Sequence, residues 1–225
     1  MKKILLSFYF SLYTFLLFSQ VWKPLSPLLY GWGEPAQIYT LKVYNNKLLI
    51  GGAIRKIGNY VLPQPQFGYW TKPLTWDGYL FDSVPGLNNF ESVVNCFAEF
   101  NNKLYCSGYF QNVNNLPNTK YIARFNGTNM EPLANSTPNQ RVWVLKAKDY
   151  LYLAGHFSLI GSTPYGYVAR YNGTNYSSLG VGVQGTNPTV YAMTEYNNEI
   201  IISGGFDWVG NIYVPNGIAA WNGMA

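Results

Sequence analysis

Across residues 142–173, apolar and polar positions follow a set order that the rest of the chain repeats. An apolar run is followed by a tight turn, then by a second apolar run ending in Ala154-Gly155-His156-Phe157, then by Val168-Ala169-Arg170-Tyr171-Asn172-Gly173. The same order recurs at 93–127, at 190–223 and, less cleanly, at 38–78. No helical periodicity is present after the first twenty residues, so the runs predict strands rather than amphipathic helices.

The four copies align by their glycines. Gly52, Gly108, Gly155 and Gly204 close the second apolar run, and Ile54, Phe110, Phe157 and Phe206 follow two residues later. Gly58, Asn114, Gly161 and Gly210 stand six residues after those glycines, and Trp76-Asp77-Gly78, Phe125-Asn126-Gly127, Tyr171-Asn172-Gly173 and Trp221-Asn222-Gly223 end the third run. The closing glycines are 49, 46 and 50 residues apart, a period suited to propeller blades and longer than that of leucine-rich or ankyrin units.

Each copy predicts four short strands. The first spans 38–44 in copy one and 190–196 in copy four, ending in Asn45-Asn46 and Asn197-Asn198; paired asparagines tolerate the positive φ of a two-residue hairpin. The second follows at 47–52 and 199–204, the third ends at the aromatic before Asn-Gly, and the fourth lies at 81–84, 130–133 and 176–179. The expected fold is all-β: a β-propeller of four four-stranded antiparallel blades, forming either a closed small ring or an open arc of a larger propeller. The glycine ending each second strand is expected to have a positive φ or to lie hard against a neighbouring strand, since only glycine does either freely.

These motifs resemble a known family. Tyr196-Asn197-Asn198, Ser203-Gly204-Gly205-Phe206, Ile122-Ala123-Arg124-Phe125-Asn126-Gly127-Thr128 and Tyr176-x-x-Leu179-Gly180 resemble the kelch-like and delta-60-type propeller repeats of secreted bacterial surface proteins. The resemblance covers nearly all of residues 22–225. It implies a propeller at the cell surface and no particular reaction, because this fold hosts many activities. Four copies are fewer than the six or seven usual in kelch-type rings.

Composition agrees with a folded β protein: 48% of residues are hydrophobic and only 11% charged, which excludes a solvated, disordered chain. Residues 1–20 stand apart. Lys2 and Lys3 precede an apolar run at 4–18 and a small residue, Ser19, the pattern of a secretory signal peptide and too short for a membrane span. Residues 21–225 are then the repeat domain, secreted or at the cell surface. Without the leader the net charge is +3, and its lysines and arginines are too scattered to neutralise a phosphate backbone, so no nucleic acid is expected.

Candidate chemistry is sparse. No nucleotide-binding, metalloprotease or serine-hydrolase motif is present, and the single histidine, His156, does not make a metal site, which normally gathers several ligands. No metal or cofactor is therefore expected. Glu99 and Glu195 each stand one residue before the aromatic ending the first strand of copies two and four. If that strand is innermost, both approach a central channel, where paired carboxylates would bind a cation or serve a hydrolase; the competing reading is two solvated charges beside a turn. Cys96 and Cys106 fall on adjacent strands. A turn at Asn101-Asn102 places Cys96 opposite Ser107 and points Cys106 to the other side of the sheet, so two free thiols are expected. Leu41 and Met193, and Ile50 and Leu153, are taken as their counterparts, all apolar. The sequons beginning at Asn126, Asn135, Asn172 and Asn175 are read as turn chemistry.

One insertion breaks the repeat. Gly52 to Asp77 spans 25 residues, where the matching intervals are 18, 17 and 18. The surplus carries Phe67, Tyr69 and Trp70, aromatics on a proline-stiffened loop that suit stacking on a sugar or holding a protein. The expected function is therefore a non-catalytic propeller binding glycan or protein, with a hydrolase using Glu99 and Glu195, or a structural fragment of a longer surface protein, as alternatives. Closure adds one expectation. Trp22-Lys23-Pro24-Leu25 has the spacing of a fourth strand and would pair beside 218–221 to complete the last blade.

Overall fold

The computed structural model describes residues 25, 27–30, 36–61, 71–87, 89–134 and 136–223. The described residues contain strands and turns, with no α-helix among them, and hence no helix long and apolar enough to cross a membrane.

Each copy forms one antiparallel sheet in chain order. Copy one joins Gln37–Tyr44, Lys47–Ala53, Leu74–Trp76 and Phe81–Ser83; copy two joins Val94–Phe100, Lys103–Gly108, Ile122–Phe125 and Met130–Glu131. Copy three joins Val142–Ala147, Leu151–Gly155, Val168–Tyr171 and Tyr176–Ser178, and copy four joins Thr189–Tyr196, Glu199–Gly205 and Ile218–Trp221. Copy four is thus three-stranded among the described residues. The expected pairing of residues 22–25 with 218–221 falls on positions that, apart from Leu25, lie outside the described residues.

The local chemistry follows the repeat. Asn45-Asn46, Asn101-Asn102 and Asn197-Asn198 all have φ between 48° and 66°, the doubly left-handed turn whose twist matches a hairpin. At the third turn, Asp77, Asn126 and Asn172 each accept two backbone N–H bonds through Oδ1, so the asparagines of two sequons do act as turn residues. Asp77 gains from the same bonds: its backbone donors hold its carboxyl below the usual range.

Two features go beyond the four strands that each copy predicts. Between the second and third strands, copies one, three and four carry a second, small hairpin: Lys56–Ile57 with Tyr60–Val61, Leu159–Ile160 with Thr163–Pro164, and Trp208–Val209 with Ile212–Tyr213. Its turn uses the glycine six residues past the repeat glycine, with Gly58, Gly161 and Gly210 at φ of 56°, 60° and 57° and Asn114 at 53° in copy two. The segment entering the sheet pairs with this hairpin in copies one, three and four, through Leu29–Tyr30, Pro138 and Val183–Gln184, and in copy two Phe90 bridges to Val113 at the matching place. The second feature is a β-bulge at one position of every first strand, at Tyr39, Asn95, Trp143 and Tyr191.

The repeat glycines sit opposite these bulges. A methyl group on Gly52, Gly108, Gly155 or Gly204 would overlap the carbonyl oxygen of Gln37, Val93, Arg141 or Thr189. Close approach is therefore their shared role. The same carbonyl of Val93 and of Arg141 accepts a bond from the residue after the glycine, Tyr109 N at 3.1 Å and His156 N at 2.9 Å.

The core lies between sheets rather than within them. Leu49 of copy one packs with Leu87, Phe90, Phe97, Leu104 and Phe110 of copy two. Ala98, Phe100 and Tyr105 of copy two pack with Val142, Leu145, Leu151 and Leu153 of copy three, and Tyr152, Ala154 and Val168 of copy three pack with Val190, Ile200, Ile202 and Phe206 of copy four. First strands of consecutive copies adjoin one another, and no comparable contact joins copies four and one among the described residues.

Candidate functional site

The bulge makes the site. Inserting one residue in the first strand re-aims a side chain at the sheet's end, and in copies three and four those residues are Trp143 and Tyr191. With Gln140, Arg141, His156, Asn187 and Thr189 they line a cleft of about 330 Å³ between the two sheets. It opens at the ends of the first and second strands where the small hairpins and entering segments gather. Tyr191 is exposed, Trp143 is half-buried and Thr189 is buried.

His156 Nδ1 lies 2.6 Å from Thr189 Oγ1 across the junction, which fixes the floor and leaves Nε2 as the ring's other polar atom. Tyr167 presents its edge to His156, with ring centroids 6.4 Å apart and planes at 68°. Tyr167 itself holds φ at 72°, and its counterpart Tyr121 holds 63°, a conformation costly for a bulky residue and retained where the surroundings enforce it. Its enforcement is visible: Gly155 N donates to Tyr167 O, as Gly108 N does to Tyr121 O, both at 3.1 Å.

One wall of the cleft is braced from behind. The Arg141 guanidinium lies 3.7 Å from the centroid of the Tyr109 ring and 5.6 Å from that of Trp143. Tyr109 stacks on Tyr121 at 6.3 Å and 16°, and Lys120 Nζ caps Tyr121 at 4.9 Å. Cations and ring faces thus alternate along the junction, each contact favourable through the ring quadrupole. The cleft contains no carboxylate among its lining residues; it offers two ring faces and hydrogen-bonding groups from Gln140, Arg141, His156, Asn187 and Thr189.

Of the residues selected from the sequence, Glu99 and Glu195 do not line the cleft. Phe67, Tyr69 and Trp70 lie outside the described residues. Glu99 Oε1 is 3.0 Å from Lys42 Nζ, and Glu195 Oε1 is 3.3 Å from Lys148 Nζ, so each carboxylate is neutralised by a lysine of the preceding copy. Lys148 Nζ also donates to Asn198 O and Oδ1 at 2.7 Å. Among the described residues no group of three or more His, Cys, Asp or Glu side chains is placed to hold a metal.

The thiols are free, with Cys106 buried and Cys96 half-buried. Cys96 opposes Ser107 and Cys106 opposes Phe97. The same register makes Thr40 and Ala192 the counterparts of Cys96, one position before Leu41 and Met193. Cys96 Sγ receives Leu145 N at 3.3 Å, joining the first strands of copies two and three, and burial pushes both thiols up.

Sequence reasoning passed over Trp143, Arg141 and Tyr191 because they read as ordinary strand residues, and it weighed His156 only as a metal or catalytic residue. The available signal was His156 itself, since it follows the repeat glycine where the other copies have Ala53, Tyr109 and Gly205. No protein-family model matches the chain, and no curated protein matches it.

Proposed function

We propose that the four sheets are blades of a β-propeller that works outside the cell as a non-catalytic glycan-binding protein, with its sugar seated between copies three and four. The observation that carries this reading is the cleft of about 330 Å³ walled by Trp143 and Tyr191. Its volume falls at the lower end of ordinary small-ligand sites. Flat aromatic faces match the apolar C–H faces of a pyranose ring, and the polar floor and rim match its hydroxyls. Bracing of Trp143 by Arg141, itself held on the Tyr109 ring, supports a preorganised wall, which lowers the ordering cost of binding. The setting outside the cell is supported by the leader pattern at residues 1–20.

The test is a glycan array followed by titration calorimetry on the best binder, with wild type, Trp143→Ala and Trp70→Ala. Binding lost with Trp143→Ala and kept with Trp70→Ala supports the cleft. Loss with Trp70→Ala alone moves the site to the insertion, and absence of binding to any glycan overturns the reading in favour of a protein ligand.

A further inference from the structure

Each internal junction has two halves. The leading half is the side a copy turns toward the next copy, and the trailing half is the side it turns toward the previous one. In copy two the leading half includes Ala98, Phe100, Tyr105 and Ile122, and in copy three it includes Tyr152, Ala154 and Val168. Trailing halves include Val94 and Phe97 in copy two, Val142 and Leu145 in copy three, and Val190 in copy four.

At the two ends of the row, among the described residues, the same positions hold apolar side chains that are exposed. Leu41 is 59% exposed, whereas its counterparts Phe97 and Leu145 are 7% and 6% exposed. Ile38 is likewise exposed where Val94, Val142 and Val190 are buried. At the other end Ile218 is 54% exposed, whereas its counterparts Ile122 and Val168 are 1% and 2% exposed. Tyr196 is exposed where Phe100 is buried.

We infer that these two faces dock head to tail between copies of this chain, the leading half of copy four receiving the trailing half of copy one from a second molecule. The occupant is named by continuity: three junctions within the chain already join a leading half to a trailing half, and the two exposed faces are one of each kind. Charge agrees. Where copies one and two meet, Lys42 pairs with Glu99, but the corresponding positions at the junction of copies two and three are Ala98 and Ala147. The end faces carry Thr194 and Val43 there, so docking them buries no lone charge at that place, which would otherwise be costly. A head-to-tail interface closes into a ring when its rotation allows and otherwise extends as a series.

The experiment is light scattering after gel filtration, across a concentration series, on the full chain and on Leu41→Lys and Ile218→Lys. Both residues are exposed, and circular dichroism checks that each variant retains the wild-type fold. Expected results are a wild-type mass of twice the chain or a larger concentration-dependent series, monomers for each variant alone, and a one-to-one pair when the two variants are mixed, because one intact leading face then meets one intact trailing face. A wild type that stays monomeric throughout overturns the inference. So does an assembly that survives either substitution, or a mixture that fails to pair.

Discussion

The junction between copies two and three and the junction between copies three and four share a backbone and differ in what fills it. Both have a bulge opposite a repeat glycine on the later copy and a left-handed tyrosine on the earlier one, Tyr121 or Tyr167. At the first, Arg141 enters from copy three and lies against Tyr109. At the second, those two positions hold Thr189 and His156, which meet at 2.6 Å and are too short to fill the space, leaving the cleft. Two side chains therefore separate a packed junction from an open one. The packed junction also serves the open one, because the arginine that fills it backs onto Trp143.

The strongest way to break the comparison is at the glycine beneath both sites. Gly155→Val would drive a side chain into Arg141 O and the backbone around Val142 and Trp143, displacing the brace and the wall together. It is expected to destabilise by ~1–3 kcal/mol, as overpacking does, read as a lower urea midpoint; a neutral result would show that the close approach is incidental.

Trp143→Ala acts on the open junction alone. Glycan affinity is expected to fall about tenfold, ~1.4 kcal/mol, by calorimetry, while the urea midpoint moves less than in Gly155→Val. Arg141→Ala unfills the packed junction. Loss of its contact with Tyr109 should cost ~0.5–1 kcal/mol of stability, and glycan affinity should fall less than with Trp143→Ala, since both ring faces stay while the brace and one of several lining polar groups go. Equal losses for the two variants would show that the arginine contributes as much to binding as the Trp143 ring face. Glu99→Gln lies away from both junctions' aromatic residues and removes the exposed pair with Lys42. Its cost should be ~0.2–1 kcal/mol, measured as a difference in urea midpoint that shrinks in high salt.

Much of the fold was legible because it is local and repeated. Paired asparagines select a left-handed hairpin, Asp or Asn before glycine selects the third turn, and both kinds of turn formed where the residues place them. The register of Cys96 and Cys106 followed from counting back from one turn. Counterparts in the other copies were misjudged by one place at Cys96, because alternation alone does not anchor a strand that contains a bulge.

The candidate site was not legible for the same reason. A bulge is an extra residue whose presence depends on the partner strand, and nothing at Trp143 or Tyr191 distinguishes them from their neighbours in an alternating run. Sequence by itself determined the repeat, the all-β class, the turns and the need for glycine at four equivalent places, since these rest on backbone conformations and periodicities that each residue expresses locally. Tertiary structure alone decided that His156 meets Thr189, that Arg141 stacks on Tyr109, and that Leu41 and Ile218 face solvent while their counterparts are buried. Those outcomes depend on which copy stands beside which, a relation between residues about 30 to 50 positions apart that no local pattern encodes.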